Sequence, residues 1–184
     1  MTRIHVSLRI PATAPMPELM KLIQDAEASG FDGAGFLDSQ LLCRDTFVTM
    51  GLAATHTSAL TLFPAVTNPL TRHVSTLASA IQTVEGLAPG RIKVAIGTGY
   101  TAAHTIGRTP ATLAEMRACI AQLRALLAGE TVTFDGTPGR LAYASGRRIP
   151  VLMAASGPKA TELAGRSPTA FCYRSAFTRG SWRP

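Results

Sequence analysis

Two glycine-containing stretches have residue types that suit close contact with a ligand. In Ser156-Gly157-Pro158, a hydroxyl, free backbone N–H groups and the positive end of a helix dipole would together suit a phosphate. The same residues would also form a simple helix cap, and the residues alone leave both interpretations open. Gly97-Thr98-Gly99 permits close approach of a ligand to the backbone, although an ordinary turn would use the same residues.

Charged side chains also stand just after apolar runs. Asp38 follows the run Gly-Phe-Leu, where its carboxylate either contributes to a site or caps the next turn. Arg72 and His73 follow a second apolar run, and a histidine there more often forms a local hydrogen bond than acts in catalysis. No Gly-x-Ser-x-Gly motif is present, which argues against a hydrolase of that type. No metal-binding spacing relates the remaining histidines, His5, His56 and His104.

These stretches lie at the ends of predicted strands. Near the N-terminus, apolar residues alternate with polar ones from Ile4 to Ile10, the period of a strand. Further strands are predicted at 31–37, 59–66, 91–97 and 150–155. The first four begin about 30 residues apart, which is the spacing of parallel βαβ units.

Between the predicted strands, apolar residues recur at the spacing of helices. Helices are predicted around 19–26, 45–55, 77–88 and 109–129, and a fifth begins at Gly157-Pro158. Pro110 is predicted at the first position of the helix over 109–129. Residues 130–144 contain Asp-Gly and Pro-Gly turn signals and are predicted to form an irregular or hairpin insertion.

Five βα units fit two architectures. A complete doubly wound sheet of flavodoxin type would have strand order 2-1-3-4-5, whereas part of an eight-stranded barrel would have order 1-2-3-4-5. A flavodoxin-like sheet would favour a phosphate loop rich in Gly, Ser and Thr after the first strand, and Pro11-Ala-Thr-Ala-Pro is a poor version of it.

Composition excludes several classes of protein. With 46% hydrophobic and 16% charged residues, the chain is typical of a folded domain. No apolar run approaches the roughly 18 residues of a membrane span. The net charge of +7 is not gathered in a basic run interleaved with aromatic residues, so we expect no nucleic-acid partner. Three scattered cysteines predict neither a disulfide framework nor a metal site, and favour the reducing cytoplasm.

Four motifs, taken together, resemble the luciferase-like superfamily of flavin- and deazaflavin-dependent oxidoreductases. They are Phe36-Leu-Asp-Ser-Gln, the stretch from Pro64 to His73, the stretch from Ile106 to Glu115, and the stretch from Ala154 to Arg166. The second is most similar to the branch that contains methylenetetrahydromethanopterin reductase. The resemblance covers residues 3–166 and implies an α/β fold: an incomplete (β/α)8 TIM barrel of about five βα units.

The resemblance also implies roles for individual residues. Asp38 would place a catalytic carboxylate near the redox centre. A non-proline cis peptide is implied at Ala65-Val66, behind the cofactor ring, with Asn68 at the ring edge. The cofactor phosphate would lie at Ser156, Gly157 and Pro158, with Gly97, Thr98 and Gly99 as a second phosphate-side segment.

The implied cofactor is FMN or the deazaflavin coenzyme F420 (F-420). The chemistry would be hydride transfer or oxygen activation on a small-molecule substrate. Full-length relatives are expected to be homo-oligomers. An inactive fragment of such an enzyme and a flavodoxin-like binding domain remain the alternatives.

Residues 167–184 depart from the family pattern. Relatives continue with a strand close to Val-Ala-Asp-Gly-Val, whereas this chain reads Ser-Pro-Thr-Ala-Phe from Ser167 to Phe171. Loss of one base from a suitable coding string would convert the first sequence into the second. We therefore expect two parts, 1–166 as the N-terminal part of a barrel and 167–184 as a frame-shifted, disordered tail.

Overall fold

The computed structural model describes residues 4–155, 158–165 and 170–171, in which strands and helices alternate. The strands are β1 (Ser7–Ile10), β2 (Gly33–Phe36), β3 (Thr61–Pro64), β4 (Val94–Ile96), β5 (Val132–Phe134), β6 (Thr137–Gly139), β7 (Val151–Ala154) and β8 (Ala170–Phe171). The helices are α1 (Met16–Ala28), α2 (Thr46–His56), α3 (Val74–Leu87), α4 (Tyr100–His104), α5 (Leu113–Leu127) and α6 (Pro158–Gly165).

Parallel strands follow one another in chain order. β1 pairs with β2 and β2 with β3, with Ile10, Phe36 and Pro64 side by side at one end. Bridges at Leu62–Ile92 and Thr67–Ile96 connect the β3 region to the β4 region. β4 then pairs with β7, and β7 with β8. The predicted order 1-2-3-4-5 is confirmed, the flavodoxin order is wrong, and the described strands do not close a barrel.

The hydrophobic core lies between these strands and the helices that follow them. All four residues of β2 are buried, and Leu77 and Ile81 of α3 and Leu123 of α5 are inaccessible. The absence of a side chain at Gly35 lets Phe63 and Ala65 pack closely against the backbone of β2. A Cβ at Gly35 would lie 2.7 Å from the Phe63 ring and 2.8 Å from the Ala65 Cβ. No described helix has the length and apolar character needed to cross a membrane.

In the second half of the chain, one predicted helix start is wrong, one short helix was not predicted, and one prediction is confirmed. The helix predicted over 109–129 begins at Leu113, because Thr112 and Glu115 form a reciprocal capping box that leaves Pro110 outside. The short helix α4 was not predicted, since five residues carry no measurable period. The insertion at 130–144 contains the antiparallel hairpin β5–β6, as predicted.

Two residues of the segment 167–184 belong to the described structure. In β8, Ala170 pairs with Met153 and Phe171 pairs with Ala154, both in parallel register. The remaining residues of that segment lie outside the described part of the chain, so the frame-shifted tail stays a prediction.

Glu27, near the end of α1, holds the start of the β3 region. Its carboxylate accepts hydrogen bonds from the backbone N–H groups of Ser58, Ala59 and Leu60, at 3.0, 2.7 and 3.0 Å. Partial burial opposes the charged form, but these bonds and the nearby Arg91 outweigh it and lower the pKa of Glu27. One carboxylate therefore ties the first helix to the third strand.

We expect Glu27→Ala to lower the free energy of unfolding by about 1–3 kcal/mol at neutral pH, because three N–H groups lose a charged acceptor. Since the folded-state pKa is lowered, this contribution is present above the ordinary glutamate pKa and disappears as the pH falls through the folded-state value. Urea unfolding followed by circular dichroism would measure both effects.

Asp25→Ala is the matched control for this change. It removes a carboxylate from the same helix, but one that forms only an exposed pair with Lys21, which is worth about 0.3–0.5 kcal/mol. Equal losses in the two variants would show that the bonds to residues 58–60 do not stabilise the fold.

Candidate functional site

A cavity of about 240 Å³ opens at the edge where the parallel strands end. Because parallel strands in one sheet end at the same edge, residues far apart in sequence meet there. Residues of β1 and β7 line it, together with the segments that follow β2, β3 and β4. The lining includes Arg9, Asp38, Ser39, Ala65, Val66, Gly97, Thr98, Gly99, Ala154 and Ala155.

Most of the predicted site residues meet in this cavity. Asp38, Ala65, Val66 and the segment Gly97–Gly99 all line it. The Ala65–Val66 peptide bond is cis, as the resemblance implied. Pro158 is the first residue of α6 and does not line the cavity. Ser156 and Gly157 lie outside the described residues.

Asn68 does not line the cavity. It is completely buried, and its side-chain oxygen accepts hydrogen bonds from the backbone N–H groups of Leu70 and Thr71. That oxygen is therefore committed to the local turn. Asn68 instead packs beneath Gly99, where an added Cβ would lie 2.6 Å from the Asn68 Cβ. The Asn68 Nδ2 is buried and has no hydrogen-bond partner among the described residues, so a place for Asn68 at the ring edge stays a prediction.

The Asp38 carboxylate is held from two sides. Its Oδ2 accepts a hydrogen bond of 2.7 Å from the Thr67 hydroxyl, and the Arg72 guanidinium lies 3.5 Å from both carboxylate oxygens. The side chain is only 4% exposed. Asp38 does not cap the following helix, because Asp45 does so by accepting from the N–H groups of Phe47 and Val48.

Arg72 lies between two carboxylates. It donates a 2.6 Å hydrogen bond to Asp45, and its guanidinium carbon lies 5.0 Å from the centre of the Phe47 ring. Partial burial opposes the charged form of Asp45, but the bond from Arg72 and the helix N–H groups outweigh it and lower the pKa of Asp45. Burial likewise opposes the charged form of Arg72, and the two carboxylates raise the pKa of Arg72.

Several cavity residues were missed by sequence reasoning. Arg9 and Cys43 carry no motif signal of their own, and only folding brings them to the cavity. Tyr100 directly follows the predicted segment Gly97–Gly99 and also lines the cavity. Ser39 lies inside the motif Phe36-Leu-Asp-Ser-Gln, so the motif could have identified it as a site residue. Burial raises the pKa of the Cys43 thiol, so its alkylation is slow at neutral pH and is best followed at alkaline pH.

His73 forms a local hydrogen bond, which is the role that the sequence favours for it. Its Nδ1 accepts a hydrogen bond of 3.3 Å from the Ser75 N–H at the start of α3. The ring also packs against Phe134 of the hairpin, with 5.2 Å between ring centres. His73 is not part of the cavity lining.

Residues 1–171 match the family model for the luciferase-like monooxygenases. The chain belongs to this family. It is 33% identical over 158 residues to the 5,10-methylenetetrahydromethanopterin reductase of Methanolobus tindarius, covering 82% of this chain and 48% of the relative. It is 34% identical over 181 residues to the F420-dependent glucose-6-phosphate dehydrogenase of Beutenbergia cavernae, covering 84% and 51%.

A solved structure supports the same fold. The coenzyme F420-dependent tetrahydromethanopterin reductase from Methanopyrus kandleri superimposes with a TM-score of 0.73 at 24% identity, covering 89% of this chain and 54% of that protein. The luciferase-like chain thus spans about half the length of the curated relatives it matches.

In this luciferase-like fold, we expect Gly99→Ala to lower the free energy of unfolding more than Gly107→Ala. Both glycines have positive φ values, +75° and +70°, so both substitutions cost about 1–2 kcal/mol from the backbone alone. A new Cβ would meet Asn68 at position 99, but would have no neighbour within 4 Å at position 107. Equal losses in urea unfolding would show that the packing of Asn68 beneath Gly99 is unimportant.

We expect Arg72→Met to lower the free energy of unfolding by about 1–3 kcal/mol at neutral pH, because two carboxylates lose their shared donor. Asp45 has a lowered pKa, so the Arg72–Asp45 contribution is present above the ordinary aspartate pKa and is lost as the pH falls through the folded-state value. Arg117→Met, at an exposed position of α5, is the control. Parallel pH profiles of unfolding for wild type and Arg72→Met would contradict this expectation.

Proposed function

We propose that this chain holds the ring of coenzyme F420 in the cavity at the strand ends, as part of an oxidoreductase. The observation that carries the proposal is the convergence of Asp38, Ala65, Val66 and the segment Gly97–Gly99 on one cavity. In α/β folds of this kind, ligands bind at the carboxyl ends of the strands.

The lining fits a flat aromatic ring. Ala65, Gly97, Ala154 and Ala155 carry at most one methyl group each, so a ring can lie directly against the backbone. A volume of about 240 Å³ is below the roughly 300–1,000 Å³ typical of pockets for whole ligands. We therefore assign this cavity to the ring alone. Ala155 lines it and immediately precedes Ser156, so the phosphate remains assigned to the start of α6.

When bound, F420 would supply hydride transfer, and the residues of this chain would bind and orient the reactants. Asp38 is the lining carboxylate, and Thr67 and Arg72 hold it in place. It can therefore accept a hydrogen bond without rearrangement. A ring packed against the small apolar residues would exclude water from that part of the wall.

F420 is favoured over FMN by the names of the relatives. Both the glucose-6-phosphate dehydrogenase and the Methanopyrus reductase are named as F420-dependent. FMN is the second candidate, because the lining residues would accept either ring. Binding of FMN is tested in the same Cys43 alkylation experiment, described below.

Cys43 provides a direct test, because it lines the cavity and is partly exposed. We expect F420 at roughly ten times its Kd to slow alkylation of Cys43 by iodoacetamide about tenfold, as occupancy approaches 90%. Peptide mass spectrometry resolves the three cysteines. Cys119 is the internal reference, since burial raises the pKa of its thiol to about 11 and keeps its reaction slow with or without cofactor.

A matched pair of variants completes the test. Ala65→Leu would fill the cavity and should abolish the protection of Cys43, whereas Ala114→Leu, at an exposed position of α5, should not. Protection of Cys43 by FMN but not by F420 would identify FMN as the cofactor. Unchanged alkylation of Cys43 at saturating concentrations of both cofactors would overturn the proposal.

A further inference from the structure

A second cavity, of about 500 Å³, opens at the start of β7. Val151, the first residue of β7, lines this cavity, whereas Ala154, the last residue of the same strand, lines the candidate cofactor cavity. The two cavities therefore lie at opposite ends of one strand and share no described lining residue. A volume of about 500 Å³ falls within the roughly 300–1,000 Å³ typical of small-molecule sites.

Three arginines line this second cavity, which we call the basic cavity. Arg124, Arg147 and Arg148 belong to its described lining, and Glu130 is the carboxylate there. Arg147 Nε lies 4.0 Å from the buried Glu85 carboxylate, at the limit of an ion pair. Even with Glu85 counted, the cationic side chains outnumber the carboxylates. Arg148 is exposed, and its side chain forms no hydrogen bond or ion pair with another described residue, so its charge is available to a ligand.

The buried side chain of Gln82 fixes two walls of the basic cavity relative to each other. Its Nε2 donates a 3.1 Å hydrogen bond to the carbonyl of Leu127, a lining residue at the end of α5. Its Oε1 accepts a 3.2 Å hydrogen bond from the backbone N–H of Ser145, in the loop that carries the other two arginines. Arg124 Nη2 donates a 3.0 Å hydrogen bond to the Val151 carbonyl and so connects α5 to β7. The walls are therefore held by contacts that need no ligand.

Small and aliphatic side chains form much of the remaining wall. They include Ala121, Ala125 and Leu127 on α5, and Ile149 and Pro150 before β7. Ala121 and Ala125 are four residues apart, so they lie on one face of the helix. A ligand with an apolar body would bury that body against these side chains, which is favourable.

We infer that the basic cavity binds a small organic anion, with its phosphate or carboxylate group at Arg148 and its apolar body against α5. Guanidinium groups pair with both kinds of oxyanion through parallel N–H donors. The cavity lies at the start of β7, whereas the catalytic groups of βα barrels gather where the strands end. The site is therefore separate from the proposed cofactor site, and the inference does not depend on the proposed function.

Three ligands with one phenyl ring test the inference: phenyl phosphate, benzoate and benzyl alcohol. Titrations followed by amide NMR of the isotope-labelled chain would locate each ligand and give its Kd. We expect shifts at the amides of residues 124–130 and 146–149, and none at residues 97–99. At least one of the two anions should bind about tenfold more tightly than benzyl alcohol, because only the anions pair with Arg148. The tighter anion identifies the group that the cavity selects.

Two pairs of variants assign the binding to the lining of the basic cavity. Arg148→Met should weaken the anion about tenfold and leave benzyl alcohol unchanged, since one charge-assisted pair is lost. Arg140→Met, at an exposed position outside the described lining, should change no affinity. Ala121→Leu should weaken all three ligands by occupying the cavity, whereas Ala114→Leu, about two turns earlier on α5, should not.

Either of two results would overturn the inference: anions that bind no more tightly than benzyl alcohol, or equal anion affinities in wild type and Arg148→Met. Amide shifts confined to residues 97–99 and the start of α6 would place the anion in the candidate cofactor site and would also overturn it. Protection of Cys43 by F420 is a separate measurement at the other end of β7. The basic cavity and the proposed function can therefore each fail alone.

Discussion

Parallel pairing of neighbouring strands in chain order determines where the candidate site lies in this chain. A right-handed βα unit returns each strand to the same edge of the sheet, so the residue after each strand arrives at one place. Asp38 follows β2, Ala65 follows β3 and Gly97 follows β4, and all three line one cavity. A sheet in flavodoxin order would have placed β1 between β2 and β3, and so would have separated Asp38 from Ala65.

Small residues let the strands and loops around the cavity approach closely. Gly35 accommodates the Phe63 ring and Ala65 on the inner face, and Gly99 accommodates Asn68. Small residues, Ala65, Gly97, Ala154 and Ala155, also form part of the cavity lining. The packing that positions the site therefore also gives it a shape suited to a flat ligand.

Arg72 couples the site to the outer layer of the fold. Its guanidinium contacts Asp38 in the cavity wall, Asp45 at the start of α2 and the ring of Phe47 in the same helix. One guanidinium is thus shared by two carboxylates, one in the cavity wall and one at the helix start. The contacts of Arg72 therefore hold Asp38 in place and connect the cavity wall to α2.

The sequence alone determined the repeating strands and helices, because apolar periodicity records which face of each element is buried. The family motifs then distinguished the barrel order from the flavodoxin order and located Asp38, Ala65, Val66 and the segment 97–99 at strand ends. Helix starts were less predictable, as the capping box at Thr112 shows, since a cap depends on side-chain geometry. Only the tertiary structure decided that Asn68 turns into the wall, that Arg72 joins two carboxylates, and that Ser39, Cys43 and Tyr100 share a cavity with Arg9. Those relations join segments dozens of residues apart, and no local pattern in a sequence encodes a distance between segments that meet only on folding.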